Sequence, residues 1–476
     1  MVQPDRRRRL GDQVVRRPRV RELRPVVVQL TPPRHPSRLV TSPLIFLVGF
    51  AGLFAVGTAL LMLPIATATG EVPPFSTALF TAVSAATVTG LVVVETATYW
   101  SFWGQLVILL LIAVGGLGFM TLATFFLIML GQRITLQERL LMRETLAVSQ
   151  LGGLVRLVRN VVLMVTGVYL VGAALLLIRL VEHYPILDAV WYALFHAVSA
   201  FNNAGFAILP DTQSVAAFAS DISFLTLMMV LMALGGISYT VIVDIVRHRR
   251  FSRLTLDSQL VLVTSLLLWL TGFTVFFIGE FANPDTLGPL GLPNAVVNSF
   301  FHSVSARTAG FSTVDFGATR DYTNLFVGFL MFVGGASGSV AGGIKVNTFA
   351  VIMVAVWASI KGRARVEAYR REIPLDQVQR ALTVATLSVV VVFVTAMLLT
   401  FTEPFDFNRI VFETLSAFGT AGLSTGITPG LSEAGRYILV ALMYVGRLGP
   451  LTLALALAPR QERTLYRFAE ERVKIG

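Results

Sequence analysis

Four segments of the chain combine small side chains with a closing glycine: SAATVTGL (Ser84–Leu91), SAFNNAGF (Ser199–Phe206), SARTAGF (Ser305–Phe311) and SAFGTAGL (Ser416–Leu423). Their glycines, Gly90, Gly205, Gly310 and Gly422, recur at nearly regular intervals, and such recurrence signals a repeated structural unit. The chemistry these residues offer lies in their backbone. A dehydrated alkali cation is bound by a cage of oxygen dipoles with little fixed charge. Backbone carbonyls supply that cage where small residues and a permissive glycine let successive peptides turn inward. Thr87, Val88, Thr89 and Gly90 fit the demand, as do Asn202, Asn203, Ala204 and Gly205. So do Arg307, Thr308, Ala309 and Gly310, and Gly419, Thr420, Ala421 and Gly422. One Ala-Gly pair would read as close helix packing. Four copies in matching surroundings read as a pore.

The elements that must position these segments are membrane-grade. The 476 residues are 55% hydrophobic and only 14% charged, with a mean hydropathy of +0.74. No charge falls between Arg38 and Glu71, Glu95 and Arg133, Asp221 and Asp244, Asp257 and Glu280, or Arg380 and Glu403. Each stretch exceeds the roughly 20 apolar residues that cross a hydrocarbon core of about 30 Å. The net charge of +11 suggests a nucleic-acid surface, but its distribution excludes that reading. Basic residues cluster at 6–38, 133–159, 247–253, 361–380 and 460–474, and acidic ones dominate the alternate loops. That is the positive-inside pattern with both termini cytoplasmic, and the Arg-rich start reads as a disordered arm beside the lipid bilayer. The chain has no cysteine, which excludes disulfides and thiolate chemistry. It also lacks HExxH, GxxxxGK and GxGxxG, so neither a zinc hydrolase, an ATPase nor a dinucleotide enzyme is indicated.

Between the basic clusters one order of events occurs four times: a long apolar span, a short apolar segment, the glycine pattern, and a second long span. The long spans are about 43–65 and 102–131, 158–180 and 222–243, 259–278 and 324–360, and 381–401 and 437–458. The short segments, Pro74–Ala86, Ile186–Ala200, Pro293–Ser305 and Arg409–Ala417, are too short to cross as helices and suit re-entrant ones. Irregular backbone must then return the chain at membrane depth, which is tolerated only inside protein or along a watery cavity. The expectation is an all-α polytopic membrane protein. Four helix–re-entrant helix–helix units would surround a pseudo-fourfold pore, giving eight transmembrane spans.

Three further features stand out. The run GGASGSVAGGIK contains Gly334, Gly335, Ala336, Ser337, Gly338, Ser339, Gly342 and Gly343. It should break the span 324–360 into a flexible loop under the filter, followed by a buried Lys345. Arg447, in YVGRLGP, is an ionisable residue inside a span, and such residues are costly and face a cavity or bundle interior. Arg307 lies within a filter segment, where a pore-facing cation would repel the ion. It is expected to point behind the filter to a carboxylate, with Glu413 as the candidate partner. His196 and His302 occupy matching positions in FHAVSA and FHSVSA and read as packing residues.

At these residues the chain resembles the Trk/Ktr/HKT superfamily of potassium transporters, and is most similar to its bacterial KtrB-type subunits. TVTGLVVVET (Thr87–Thr96), FHAVSAFNNAGF (Phe195–Phe206), FHSVSARTAGFSTVD (Phe301–Asp315) and SAFGTAGLSTGITP (Ser416–Pro429) are close to the filter segments of that family, and the likeness spans about 40–460. TrkH-type relatives carry an additional pair of spans before the first unit, which this chain lacks. The resemblance implies K⁺ uptake at the bacterial plasma membrane by a homodimer with one pore per subunit. It implies a separate cytoplasmic ring of nucleotide-binding regulatory domains of the KtrA/TrkA type. Gly90, where plant relatives with sodium preference carry serine, implies K⁺. Gly334–Gly343 would be an intramembrane gate, with Lys345 beside it and Arg447 opposite, raising a barrier to cations.

The expected organisation is a basic tail over 1–41, pore units over 42–132, 158–246, 258–360 and 381–458, cytoplasmic linkers over 133–157, 247–257 and 361–380, and a C-terminal tail over 459–476. No covalent cofactor is expected; the cargo is K⁺, with Na⁺ stimulation left open. A TrkH-type cation symporter and a secondary transporter of another solute remain the alternatives. The latter calls for charged residues on broken helices at mid-membrane and an inverted repeat in two halves.

Overall fold

A computed structural model describes residues 44–118, 154–210 and 214–450, together with 452 and 471. The basic tail 1–41, most of the linker 133–157 and nearly all of the tail 459–476 lie outside the described residues. So do the ends of the spans expected to run to 131 and 458.

The described chain is mostly helical. α1 (Leu44–Leu61), α2 (Phe75–Ala86) and α3 (Phe102–Leu117) precede the first gap; α4 (Leu154–Leu180), α5 (Ile186–Phe201), α6 (Ile222–Gly236) and α7 (Tyr239–His248) follow it. α8 (Leu256–Glu280), α9 (Leu292–Ser305), α10 (Asp321–Phe332) and α11 (Val346–Ile360) come next, and α12 (Leu375–Thr402), α13 (Phe407–Gly419) and α14 (Glu433–Leu448) complete the order. The linker 361–380 holds a small hairpin, Glu367–Ala368 paired with Arg371–Glu372, whose turn residues Tyr369 and Arg370 are left-handed. Helix starts follow local chemistry. Proline stands at or beside the start of α2, α5 and α9 (Pro74, Pro185, Pro293), where its missing N–H costs nothing. Ser101, Asp221, Thr255 and Ser432 cap α3, α6, α8 and α14 through side-chain oxygens that accept first-turn N–H groups.

Among the described residues three helices are long and apolar enough to cross a membrane: Val158–Leu180, Leu256–Glu280 and Leu375–Thr402. α6 and α7 together make a fourth candidate but meet at an angle of 97°. The continuous span expected over 222–243 is therefore broken. Gly235 and Gly236 weaken the helix, and Ser238 opens a new one by accepting the Thr240 N–H at 3.2 Å. Likewise the span expected over 324–360 is two helices, α10 and α11, separated by the glycine-rich run. Outward side chains such as Leu325 (70% exposed) and Phe401 (81%) suit a lipid environment rather than water.

The packing pairs close on themselves. α3 lies against α5, α6 against α9, α10 against α13, and α14 returns to α2. The short helices α2, α5, α9 and α13 are thereby gathered inside the longer ones. Glycines permit the closest crossings: a Cβ at Gly115, Gly235 or Gly446 would land on the carbonyl oxygen of Ala86, Phe201 or Phe418. Gly446→Val is expected to cost about 1–3 kcal/mol through overpacking, read as a lower melting temperature of the detergent-solubilised protein.

Candidate functional site

Each glycine segment leaves the C-terminal end of a short helix and turns in the same way. Val88, Asn203, Thr308 and Thr420 take φ of 59°, 55°, 71° and 49°, and two residues later Gly90, Gly205, Gly310 and Gly422 take 89°, 70°, 79° and 82°. Left-handed conformations are costly for residues with a Cβ and persist only where the surroundings over-determine them. In a β-strand successive carbonyls alternate sides; a left-handed residue at every second position brings them to one side. The third segment is a residue shorter between its serine and its glycine, yet Thr308 keeps the same place before Gly310.

The four segments meet. A Cβ built on Gly90 would strike the carbonyl oxygen of Ala204 and lie 3.0 Å from the Gly205 Cα. One on Gly205 would lie 3.1 Å from the Ala309 oxygen and 3.0 Å from the Gly310 Cα. From Gly310 it would lie 2.5 Å from the Ala421 oxygen and 3.2 Å from the Gly422 Cα, and from Gly422 it would strike the Thr89 oxygen, 3.1 Å from the Gly90 Cα. The order 90, 205, 310, 422 and back to 90 is a ring of glycines, each against the peptide carbonyl that precedes the next. Thr89, Ala204, Ala309 and Ala421 supply those carbonyls. Thr87 and Thr89 are linked through their hydroxyls at 2.7 Å, and Asn202 donates to the Tyr169 hydroxyl at 2.6 Å, so these side chains are engaged behind the ring.

Two cavities open on the ring and on the loop. One, of about 650 Å³, is lined by all four glycines and carries Glu95, Asp315 and Arg409 on its wall. The other, of about 380 Å³, is lined by Gly338, Ser339 and Val340 of the glycine-rich run together with Lys345 and Arg447. Acidic groups attract a cation toward the first cavity, while two cationic groups on the second oppose it. Among the described residues no group of three or more His, Cys, Asp or Glu could hold a metal ion.

The run between α10 and α11 is non-helical and lies against the third and fourth segments. A Cβ on Gly334 would come 3.3 Å from Thr308 Cγ2, one on Gly342 would strike the Thr420 hydroxyl, and one on Gly343 would lie 3.2 Å from the Gly419 Cα. The run is pinned at three places. At its start, the buried Arg307 guanidinium donates to the Val333 carbonyl at 3.0 Å and to that of Gly334 at 2.6 Å. Near its tip, Arg447 donates to the carbonyls of Val340 and of Gly115 on α3. Between these, the Ala336 N–H donates to Gly236 at 3.0 Å, the carbonyl freed by the α6–α7 break, and the Ser337 N–H donates to Asn347 Oδ1 at 2.8 Å. Asn347 in turn donates to Asp257 in the first turn of α8. Lys345 is half-buried rather than buried and donates to the Ala341 carbonyl.

The expected pairing of Arg307 with Glu413 is not formed. Arg307 turns to loop carbonyls through Nε and Nη2, and the buried Glu413 turns to the stretch after its own glycine. There it accepts from Ser424 Oγ at 2.5 Å, the Thr425 N–H at 2.9 Å and Thr428 Oγ1 at 2.8 Å. His196 and His302 are buried and hydrogen-bonded within the fold. Sequence reasoning missed Asp257, Asn347 and Gly236 as anchors of the loop. The available signal was Asn347, an amide inside the apolar stretch VNTFAV.

The family description TrkH, cation transport protein, matches residues 53–464 of the chain. The Ktr system potassium uptake protein B of Bacillus subtilis strain 168 is 41% identical over 438 residues, covering 92% of this chain and 97% of that protein. Its counterpart of the same name in Vibrio alginolyticus is 38% identical over 436 residues, covering 91% and 95%. The potassium/sodium uptake protein NtpJ of Enterococcus hirae is 36% identical over 434 residues, covering 90% and 96%. The crystal structure of the potassium transporter TrkH from Vibrio parahaemolyticus superposes with a TM-score of 0.70 at 18% identity, over 90% of this chain and 86% of that one.

Proposed function

The chain belongs to the TrkH family of cation transport proteins, and from that premise we propose that it takes up potassium through the ring of Gly90, Gly205, Gly310 and Gly422. The observation that carries the reading is the ring's closure, in which each glycine abuts the carbonyl before the next one. Four carbonyls at one level, with acidic groups on the cavity beside them, form a site for a dehydrated monovalent cation. The packing order α3–α5, α6–α9, α10–α13, α14–α2 supports four helix–re-entrant helix–helix units around one pore. Eight spans follow if α1, α3, α6, α10 with α11, and α14 each cross together with the three long helices. The driving force is the membrane potential, about 2.3 kcal/mol per charge per 100 mV.

In this reading the run 334–343 is a gate. It lies against Thr308 and Thr420 at the ring's side and is held by Arg307 and Arg447. The protein works as a homodimer in the bacterial plasma membrane, with both termini cytoplasmic. A cytoplasmic ring of nucleotide-binding domains moves the helices that carry the gate. The relatives named for the Ktr system are named as its protein B, which supports a second component.

The test is growth of a bacterium stripped of its own potassium uptake systems in submillimolar K⁺, with rubidium influx as readout. Rescue with rubidium influx that excess sodium does not suppress supports the proposal. Absence of any cation influx, with a regulatory partner co-expressed, overturns it. Asn347→Leu removes the acceptor of the Ser337 N–H and the link to Asp257. It is expected to raise rubidium influx several-fold in the absence of the partner, because each hydrogen bond lost from the loop is worth about 0.5–1.5 kcal/mol.

A further inference from the structure

The position three residues before each motif serine, directly after a phenylalanine, holds Thr81, His196, His302 and Glu413 in the four segments. All four are at most 2% exposed. In the second, third and fourth segments this residue reaches the backbone or side chain of the residue three beyond the ring glycine. His196 Nε2 accepts the Ile208 N–H at 3.4 Å, His302 Nε2 pairs with Thr313 Oγ1 at 2.9 Å, and Glu413 accepts the Thr425 N–H at 2.9 Å. A strut thus runs from each of these short helices to the stretch that leaves the ring.

A second hold on the segments is the motif serine itself. Ser84 donates to the Leu91 carbonyl at 2.7 Å, Ser199 to that of Phe206 at 2.8 Å and Ser305 to that of Phe311 at 2.5 Å, in each case the carbonyl just after the glycine. The fourth segment lacks this strap. Ser416 Oγ is buried with no hydrogen-bond partner among the described residues. In compensation Glu413 collects Ser424, Thr425 and Thr428 together on one carboxylate, where the histidines make a single contact to the exit stretch. Hydrogen bonds to a charged acceptor are roughly twice as strong as neutral ones.

Resting on the potassium-pore reading, we propose that Glu413 is the positioning residue for ion selection in the fourth segment. It does there what the serine straps do in the other three. Its carboxylate fixes the exit of Ala421–Gly422, and with it the Ala421 carbonyl that abuts Gly310. It touches no ion. Removing its acceptor capacity frees one quarter of the ring and lets it relax around a smaller cation, while α13 and the rest of the ring stay folded. Glu413→Gln keeps the volume but removes the charge and exchanges the oxygen that accepts from Thr428 for a donor amide, which weakens the hold on the exit stretch.

The experiment uses the full-length protein in proteoliposomes, measuring rubidium influx and its inhibition by sodium. For Glu413→Gln the ratio of rubidium to sodium permeation is expected to fall about tenfold, the equivalent of one charged hydrogen bond lost. The KM for rubidium should rise. Glu413→Asp, which keeps the charge on a shorter stem, should fall between the two. Should Glu413→Gln fail to fold, Ser424→Ala removes one donor from the same carboxylate and should lower the ratio in the same direction by a smaller factor. A role in stability alone would lower melting temperature and total flux with the permeation ratio unchanged, and that result overturns the proposal. Selective wild-type influx with an unaltered ratio in both variants sinks the strut alone; no rubidium influx in the wild type with a regulatory partner co-reconstituted sinks the pore reading beneath it.

Discussion

Gly90→Ser is expected to reduce the preference for rubidium over sodium in the reconstituted protein by ten- to a hundredfold, with the chain still inserted. Gly90 sits at φ 89°, in a region that disfavours any side chain, so serine alone carries about 1–2 kcal/mol of backbone strain. More decisive is what the new Cβ meets. It would strike the Ala204 carbonyl oxygen and crowd the Gly205 Cα at 3.0 Å. Both are backbone, and neither can rotate away as a flexible side chain would. Relief requires the first and second segments to part, and parting them moves the Ala204 carbonyl off the ring. Since an order of magnitude in selectivity corresponds to about 1.4 kcal/mol, a shift of a few tenths of an ångström in one of four carbonyls is enough. The same collision holds at Gly310 and Gly422, so serine there should act alike, and at Gly205, where the Ala309 oxygen would lie at 3.1 Å, the effect should be smaller. Rubidium influx competed by graded sodium measures the effect. An unchanged ratio in the Gly90, Gly310 and Gly422 variants would show that ions are selected elsewhere.

How much of this site could be read from the chain depends on the range of the physics involved. The short apolar segments and their glycines were legible because length and φ are local demands. A dozen apolar residues cannot cross as a helix, and the helices α2, α5, α9 and α13 cover the segments expected. The break between α10 and α11 was legible for the same reason, since Gly334, Gly335, Gly338, Gly342 and Gly343 crowd one short stretch. The 97° bend after Gly236 was less so. Two glycines and a serine in GGISYTV are weak alone, and they matter because the freed Gly236 carbonyl meets Ala336 from another helix pair. Pairings between distant elements were the least legible. Arg307 and Glu413 have opposite charges and neighbouring places in the repeat, yet each finds partners at hand: loop carbonyls for one, three donors just past its own glycine for the other. The alignment of His196, His302 and Glu413 was visible in the motifs, but only distances reveal that all three reach the residue three beyond a ring glycine.

Deleting residues 338–343 is expected to raise rubidium influx more than tenfold without any regulatory partner, the largest gain among the variants considered. The run touches the ring's third and fourth segments at Thr308, Thr420 and Gly419, and it lines the same cavity as Lys345 and Arg447. A cation leaving the ring on that side meets packed backbone and two cationic side chains. The deletion removes the backbone and, with Val340, one of the carbonyls that orient Arg447. Arg447 keeps its partners Gly115 and Gly116 on α3, so it should draw back toward that helix rather than into the path. Arg307 keeps its Val333 and Gly334 acceptors, so the third segment stays anchored and rubidium preference over sodium should survive. This separates the deletion from Gly90→Ser: one raises flux at constant preference, the other lowers preference. Arg447→Gln should also raise influx, by a smaller factor, because it removes a charge but leaves the loop packed against the ring. A deletion protein with wild-type influx would mean that the resistance to ions lies in the ring, and that the loop is a structural plug between α10 and α11.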